Sequence, residues 1–309
     1  GAAVAYARRV ARRRAEGGRL KDRRSWRATR MRRYFVVPRV ELQAYVDRYW
    51  GWQGEAPAVL PTWLPGTGAE LLFHYASPFT IDCGDKGVRR LGVAQLLCAR
   101  RTQHRPLAHG AVGFIAVRFR SGALRHFCAP SLAELHDDAL PIDEVWGAPG
   151  RELAERVALA SRTAARVALI EEWLLRCLAR YRRDQPAIEA ALRALYYGHR
   201  DVRIEALVER LGVSRRHFER LFAAQVGVTP KAFQRTARLN HTVRELLLGD
   251  ARDVLATALE HGYYDQAHFI HDFRAFAGRS PSVFLRDAQQ AAHFYNAPIF
   301  SPDRVPVPR

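Results

Sequence analysis

The sequence predicts a multi-domain protein of α and β structure. We expect an N-terminal β-rich sandwich or barrel-like domain, a helical connector, and a C-terminal all-α domain with two helix-turn-helix motifs. Short apolar runs separated by turn residues fill residues 34–150, apolar residues recur at helical spacing over residues 151–186, and one pattern occurs twice within residues 187–290. The 309 residues are enough for two ordinary domains with hydrophobic cores.

Residues 1–33 form a basic extension. They contain 13 Arg or Lys against Glu16 and Asp22, and so hold much of the formal net charge of +18. Because the segment has few core-forming residues and the only methionine, Met31, stands near its end, we expect it to be disordered. A chain that starts at Met31 is then expected to fold. The alternative is a basic arm that lies along DNA.

Four apolar runs between residues 34 and 150 are typical of strands: "AELLFHY", "FTID", "AQLLCAR" and "AVGFIAVRFR". Turn pairs such as Pro65-Gly66 and Ser77-Pro78 separate them, which favours a sandwich or a barrel. We expect two further segments, "VELQAYVDRYWGW" and "SLAELHD", to be short helices.

The strand runs also suggest a ligand site. Apolar walls with a few polar groups are the usual composition of a small-molecule pocket, and His74, Arg118 and Arg120 supply such groups. The alternative is a ligandless module for dimerisation, in which a stripe of the connector forms the contact. That stripe consists of Leu174, Leu178 and Tyr181.

Several function classes are disfavoured. The four cysteines are scattered, which predicts buried free thiols and neither a zinc site nor a disulfide framework. A metal-dependent β-barrel enzyme remains an alternative with His74, Asp82, His104 and His109 as ligands, but these residues lack facial-triad spacing and no phosphate loop is present. We expect no catalytic residues, metal or cofactor. Without a long apolar run or a secretory signal, we expect a cytoplasmic chain and no membrane partner.

The connector covers residues 151–186. Its apolar residues, among them Leu153, Val157 and Val167, have helical spacing, and Ser161 is expected to divide it into two helices. The charged segment "RRDQP" then leads to the C-terminal domain of residues 187–290. Residues 291–309 are proline-rich and are expected to be extended.

The C-terminal domain contains the repeat. The segments "LGVSRRHFERLFAAQVGVTPKAF" (211–233) and "HGYYDQAHFIHDFRAFAGRSPSVF" (261–284) share six residues at a separation of 51 positions. In the first copy Gly212 allows a sharp turn and Ser214 caps the next helix. In the second copy Asp265 takes the place of Ser214.

Each copy predicts a helix with an apolar inner face and a polar outer face. The inner residues are Phe218, Leu221 and Phe222 in the first copy, and Phe269, Phe273 and Phe276 in the second. The outer residues are the candidate DNA contacts: Arg215, Arg216, Glu219, Arg220, Gln266, Ala267, Ile270, His271 and Arg274. A glycine turn followed by a capped helix is the arrangement that places its second helix in a DNA major groove.

A helix is predicted between the two copies. Thr229 caps it, Pro230 begins it, and it runs to about Gly249. Twenty helical residues span about 30 Å. Successive major-groove faces lie about 34 Å apart, so the two reading helices are expected to fit one side of the duplex.

Residues 204–286 resemble the DNA-binding domain of AraC/XylS-type bacterial transcription regulators, above all in "GVSRRHFERLF", "GVTPKAF" and "GYYDQAHFIHDFRAFAGRSPSVFL". The resemblance implies a transcription regulator that binds double-stranded DNA, more often an activator, whose third and sixth helices enter the groove. RNA polymerase, a small-molecule effector and a second copy of the chain are further partners to test. Ala267, Ile270 and His271 depart from the family pattern, so we expect base-specific hydrogen bonds mainly from the first reading helix. More distantly, residues 34–150 resemble a regulatory module of one AraC-type subgroup.

Overall fold

The computed structural model describes residues 32–55, 60, 62–84, 87–100, 103–135, 139–248 and 253–290. The predicted disordered extension and the predicted extended tail lie outside these residues, with one exception. Arg32 and Arg33, which the composition groups with the extension, are the first residues of strand β1.

The N-terminal domain contains two antiparallel sheets. The larger has the strand order β1-β2-β8-β3-β6-β9, and the smaller has the order β5-β4-β7. The strands are β1 (Arg32–Val36), β2 (Val46–Gly54), β3 (Glu70–His74), β4 (Thr80–Asp82), β5 (Val88–Arg90), β6 (Ala94–Leu97), β7 (Arg105–Leu107), β8 (Val112–Phe119) and β9 (Ala139–Pro141). The four strands predicted from apolar runs are β3, β4, β6 and β8, and all four are confirmed.

Both faces of the larger sheet are buried at its central strands β3 and β8, which explains why these strands are continuous apolar runs. Strand β8 sends Ile115, Val117 and Phe119 to one face, and Phe114 and Ala116 to the other. The second face meets the smaller sheet in an aromatic core of Trp50, Trp52, Trp63, Phe79 and Phe114. The sandwich-like prediction is therefore correct.

One of the two helical additions is wrong. In "VELQAYVDRYWGW" only Val40–Leu42 is helical, as a 3₁₀ turn, and the rest forms β2. The aromatic residues Tyr49, Trp50 and Trp52 favour a pleated surface, and pairing with β1 and β8 on both sides overrides the helical spacing. In "SLAELHD" the described part is a 3₁₀ helix, Leu132–Glu134.

The connector consists of helices α1 (Ile142–Leu159) and α2 (Thr163–Tyr181), with the break at Ser161 as predicted. Helix α1 begins at Ile142, nine residues before the predicted start at Arg151. The prediction was late because Gly147 and Pro149 are residues that usually interrupt a helix. Gly147 has φ 63° and ψ −147°, a conformation that only glycine adopts readily, and it kinks the helix. Both helices pack on the first face of the large sheet.

The C-terminal domain is helical throughout its described residues. Its helices are α3 (Pro186–Tyr197), α4 (Ile204–Leu211), α5 (Arg215–Val226), α6 (Pro230–Leu248), α7 (Val254–Glu260), α8 (Gln266–Ala277) and α9 (Pro281–Gln290). None of the described helices of the chain is long and apolar enough to cross a membrane.

Two separate cores hold this domain together. The first lies around Phe218 and Phe222, and the second around Phe269 and Phe273. Helix α6 belongs to both cores, since Phe233 near its start packs in the first, and Leu239 and Val243 pack in the second. It therefore joins the two motifs rigidly.

Candidate nucleic-acid interface

The first reading helix, α5, is fixed at both ends by local chemistry. Gly212 adopts φ 64° and ends α4, and the Ser214 hydroxyl accepts a hydrogen bond from the backbone N–H of His217 at 3.3 Å. Gly227, with φ 89°, ends α5. The predicted turn and cap are both confirmed.

The second reading helix, α8, repeats this construction. The Asp265 carboxylate accepts from the backbone N–H of His268 at 2.7 Å, and Gly278 with φ 64° ends the helix. A carboxylate at a helix N-terminus also interacts favourably with the helix dipole. Asp265 is therefore the stronger of the two caps.

The outer face of α5 is basic. Arg215 is held by two carboxylates, Glu205 at 2.7 Å and Glu219 at 3.0 Å, and the hydrogen bond that it donates to Glu219 is the main reason that its pKa is raised. Arg216 and Arg220 are exposed, and no carboxylate of the described residues lies within salt-bridge distance of either. Their guanidinium groups are therefore available to an external partner, whereas that of Arg215 is engaged.

The outer face of α8 is less charged. Gln266, Ala267, His271 and Arg274 are exposed, as predicted for this face. Ile270 differs, because it is half-buried and packs against the second core. Apart from Arg274, the exposed face offers a methyl, an amide and an imidazole.

Helix α6 connects the two reading helices along the chain. Its 19 residues span about 28 Å, close to the roughly 34 Å between successive major-groove faces. The Thr229 hydroxyl accepts from the backbone N–H of Ala232 at 3.2 Å, and Pro230 begins the helix, as predicted.

An ion pair between α6 and α8 was not predicted from the sequence. Arg235 donates to one carboxylate oxygen of Asp272 from Nε at 3.1 Å and from Nη2 at 2.7 Å. The Asp272 side chain is only 7% exposed. Asp272 lies on the inner face of α8 between Phe269 and Phe273, and a carboxylate at such a position is the one sequence signal that a buried partner exists.

Three histidines form a second unpredicted cluster. The ring centroids of His199 and His241 are 4.6 Å apart with an interplanar angle of 11°, and those of His199 and His261 are 5.6 Å apart at 22°. Burial lowers the pKa of His241 and of His261 to about 4, so these rings are neutral at pH 7. The rings come from α6 and from the ends of α3 and α7, so the cluster joins elements of both motifs.

The three candidate ligand-binding residues of the N-terminal domain do not converge. His74 lies opposite Phe114 in the β3–β8 pair and Arg118 lies opposite Glu70, so about 13 Å of strand separates them. Both nitrogens of the His74 ring are engaged, with Gly92 O at 3.1 Å and the Phe79 N–H at 3.4 Å, and burial lowers its pKa to about 4. Arg120 donates to Gln43 O at 2.7 Å, beyond the end of β8.

Other candidate ligands are also dispersed. Among the residues that the structure describes, no three His, Cys, Asp or Glu side chains lie together as the ligands of a metal ion would. Cys98, Cys128 and Cys177 are buried free thiols as predicted, whereas Cys83 is half-exposed. Burial raises the pKa of the Cys128 thiol to about 11.

The N-terminal domain touches both motifs. The Ser131 hydroxyl donates to Ala224 O at 3.4 Å near the end of α5. Arg279, just after α8, donates to the Thr62 hydroxyl at 2.8 Å, and Leu64 packs in the second core. These contacts lie at the C-terminal ends of the reading helices, away from Arg216 and Gln266.

Comparisons with known proteins agree with this architecture. Residues 207–287 match the family described as "Helix-turn-helix domain", and residues 34–141 match "Domain of unknown function (DUF6597)". An "uncharacterized HTH-type transcriptional regulator" of Haemophilus influenzae is 34% identical over 125 residues, which cover 40% of this chain and 40% of the relative. One from Staphylococcus aureus is 29% identical over 105 residues, 32% of this chain and 14% of the relative.

The chain thus spans less than half the length of these curated relatives. Among solved structures, ToxT from Vibrio cholerae is similar with a TM-score of 0.47 and 11% identity, over 83% of this chain and 98% of ToxT.

The match at residues 207–287 includes α5, α6 and α8, so the geometry and the family comparison agree on the same residues. Residues 207–287 of this chain therefore match a helix-turn-helix domain in the same region that resembles AraC-type regulators, and residues 34–141 match a β-rich domain of unknown function.

Proposed function

We propose that this chain is a transcription regulator that binds double-stranded DNA in a sequence-specific manner. In this proposal α5 and α8 enter two successive major-groove segments on one side of the duplex. The observation that carries it is the pair of capped helices, built alike and joined by α6, which packs in the cores of both motifs.

In the proposal α5 provides most of the base recognition. Arg216 and Arg220 are exposed and unpaired with described carboxylates, and arginine donates two parallel hydrogen bonds to guanine. Arg215 and Glu219 bind each other at 3.0 Å, so they act mainly by orienting the start of the helix. Each bidentate contact is worth about 1–3 kcal/mol of discrimination against the wrong base.

Helix α8 reads its groove less strictly. Gln266 near its start suits adenine, and Ala267 offers only apolar contact, for instance to a thymine methyl. Ile270 is half-buried, which limits it to the edge of the interface. In the proposal the exposed His271 and Arg274 hold phosphate, which positions the protein without specifying sequence.

The N-terminal domain is the regulatory part of the proposal. Its contacts with the ends of α5 and α8 support a role in setting the position of the reading helices. A ligandless dimer that uses the connector stripe is less well supported. Leu174 is fully buried in the N-terminal core, which leaves Leu178 and Tyr181 partly exposed.

Selection of binding sites from a random DNA library by the full chain tests the proposal. We expect an enriched motif of two segments about one helical turn apart, strict in one and T-rich and looser in the other. The Arg216→Ala variant is expected to lose preference at one or two positions. Arg151→Ala, which removes an equal charge from exposed α1, is expected to select the same motif. Enrichment of no motif by the unchanged protein would refute the proposal.

A further inference from the structure

A groove between α1 and α2 lies outside the proposed DNA-binding surface. It has a volume of about 510 Å³, within the range of small-molecule sites. Its floor is apolar and contains Trp146, Leu153, Trp173 and Cys177. The rings of Trp146 and Trp173 meet edge to face with centroids 5.1 Å apart.

The kink in α1 shapes this groove. Gly147 turns the chain directly after Trp146, and a Cβ on Gly150 would lie 3.2 Å from the Trp146 Cβ. The segments of α1 before and after the kink therefore pack closely against each other at Trp146 and Gly150. The Trp146 Nε1 also donates a hydrogen bond to Phe127 O at 2.8 Å. The aromatic floor is fixed in position before any ligand arrives.

The rim of the groove is positively charged. Arg156, Arg176 and Arg180 line it, against one acidic lining residue, Glu152. Arg156 lies 3.8 Å from Glu152, a long and exposed pairing. Arg180 lies over the Tyr181 ring at 5.2 Å, and no carboxylate of the described residues is within salt-bridge distance of it.

We propose that this groove binds a small organic anion with an apolar, preferably aromatic, body and a carboxylate group. The body lies against Trp146 and Trp173, and the carboxylate receives hydrogen bonds from Arg180 and Arg156. The site is distinct from His74, Arg118 and Arg120, and it does not depend on the proposed DNA recognition.

A second copy of the chain is the less favourable occupant. In a twofold symmetric dimer the same surface meets itself, so the three rim arginines of one copy would face those of the other. Glu172 does not offset this repulsion between arginines, because its carboxylate is already paired with Arg176 of the same helix at 2.7 Å. A small anion neutralises the rim, whereas a second rim adds positive charge.

Calorimetric titration of the full chain tests this site. The probes are naphthalene-2-carboxylate, indole-3-acetate and dodecanoate, each at up to about 1 mM, and naphthalene-2-carboxamide as the neutral match. We expect saturable 1:1 binding of at least one carboxylate, with the carboxamide at least about tenfold weaker than naphthalene-2-carboxylate if that probe binds. Absence of saturable binding by all three carboxylates overturns the proposal.

Variants locate the binding. Arg156→Gln combined with Arg180→Gln is expected to weaken binding about tenfold or more, because it removes the two groups that donate to the carboxylate. Both arginines are exposed, so the double variant is expected to fold. Arg151→Gln is the matched control on α1, and Arg216→Gln controls for anions on the proposed DNA surface; both are expected to bind as the unchanged chain does. Equal affinity in the double variant, or loss of affinity in Arg216→Gln instead, would contradict the assignment.

Discussion

Replacement of Arg235 by methionine tests whether the Arg235–Asp272 pair holds α8 on α6. The variant keeps the apolar stem but removes both hydrogen bonds to the Asp272 carboxylate, at 3.1 and 2.7 Å. It also removes the guanidinium that lies 4.9 Å from the centre of the Phe276 ring. The Asp272 side chain is 7% exposed, so its charge would be left without its partner in a nearly buried place.

The expected cost in unfolding free energy is about 2 kcal/mol. Hydrogen bonds to charged groups contribute about 1.5–3 kcal/mol. The 3–5 kcal/mol typical of breaking a fully buried pair is not reached, because the Arg235 side chain is 45% exposed and water can reach the carboxylate that remains. Arg235→Met combined with Asp272→Leu removes both charges and is expected to recover most of the loss.

The distribution of tryptophan makes the measurement specific. Residues 187–290 contain no tryptophan, so denaturation followed by tryptophan fluorescence reports the N-terminal part. The helical circular-dichroism signal reports mainly the C-terminal domain. We expect Arg235→Met to shift the circular-dichroism transition to lower urea and to leave the fluorescence transition nearly unchanged.

DNA selection supplies a second readout for the same variant. Because α5 is anchored in the first core and α8 in the second, the variant is expected to lose sequence preference in the α8 segment and to keep it in the α5 segment. The reasoning is refuted if the single and double variants are equally destabilised, or if both DNA segments lose preference alike.

Three further predictions concern the same domain. Arg216→Ala should relax the preference at one or two base pairs by about 1–3 kcal/mol. Arg274→Ala should instead weaken binding to all sequences and lower the salt dependence by about one charge, which titrations at several salt concentrations would measure. Loss of the cap should cost about 0.5–2 kcal/mol in either motif, and Asp265→Ala, with its 2.7 Å charged bond, should cost more than Ser214→Ala at 3.3 Å in urea denaturation. Because burial lowers the pKa of His241 from 6.5 to about 4, the unfolded chain binds more protons, so stability should fall as the pH decreases from about 6.5 to 4; His241→Gln should flatten that dependence, and an unchanged slope would exclude this histidine as its source.

The reading helices were predictable because their signals are local. A capping side chain, a glycine with positive φ and an apolar stripe each act within a few residues, and Ser214, Gly212 and Phe222 all have the expected roles. The start of α1 was not predictable in this way, since Gly147 and Pro149 are residues that normally end helices. Strand β2 shows the opposite error, in which tertiary pairing overrides a helical pattern.

Contacts between the domains leave no periodic pattern in the sequence, so they could not be predicted from it. They are formed at the glycines that end the two reading helices, Gly227 and Gly278. A Cβ on Gly227 would lie 3.0 Å from Leu132 O, and the Gln103 side chain lies against Gly278. Positive φ explains the need for glycine at both positions from within the motif. The closeness of Leu132 and Gln103 adds a local constraint, because a side chain at Gly227 would press on the Leu132 backbone and one at Gly278 would push the Gln103 side chain aside. The C-terminal end of each reading helix is therefore part of the helix-turn-helix motif and also part of the contact with the N-terminal domain. A change in the N-terminal domain that moved Leu132 or Gln103 would act first on the ends of α5 and α8.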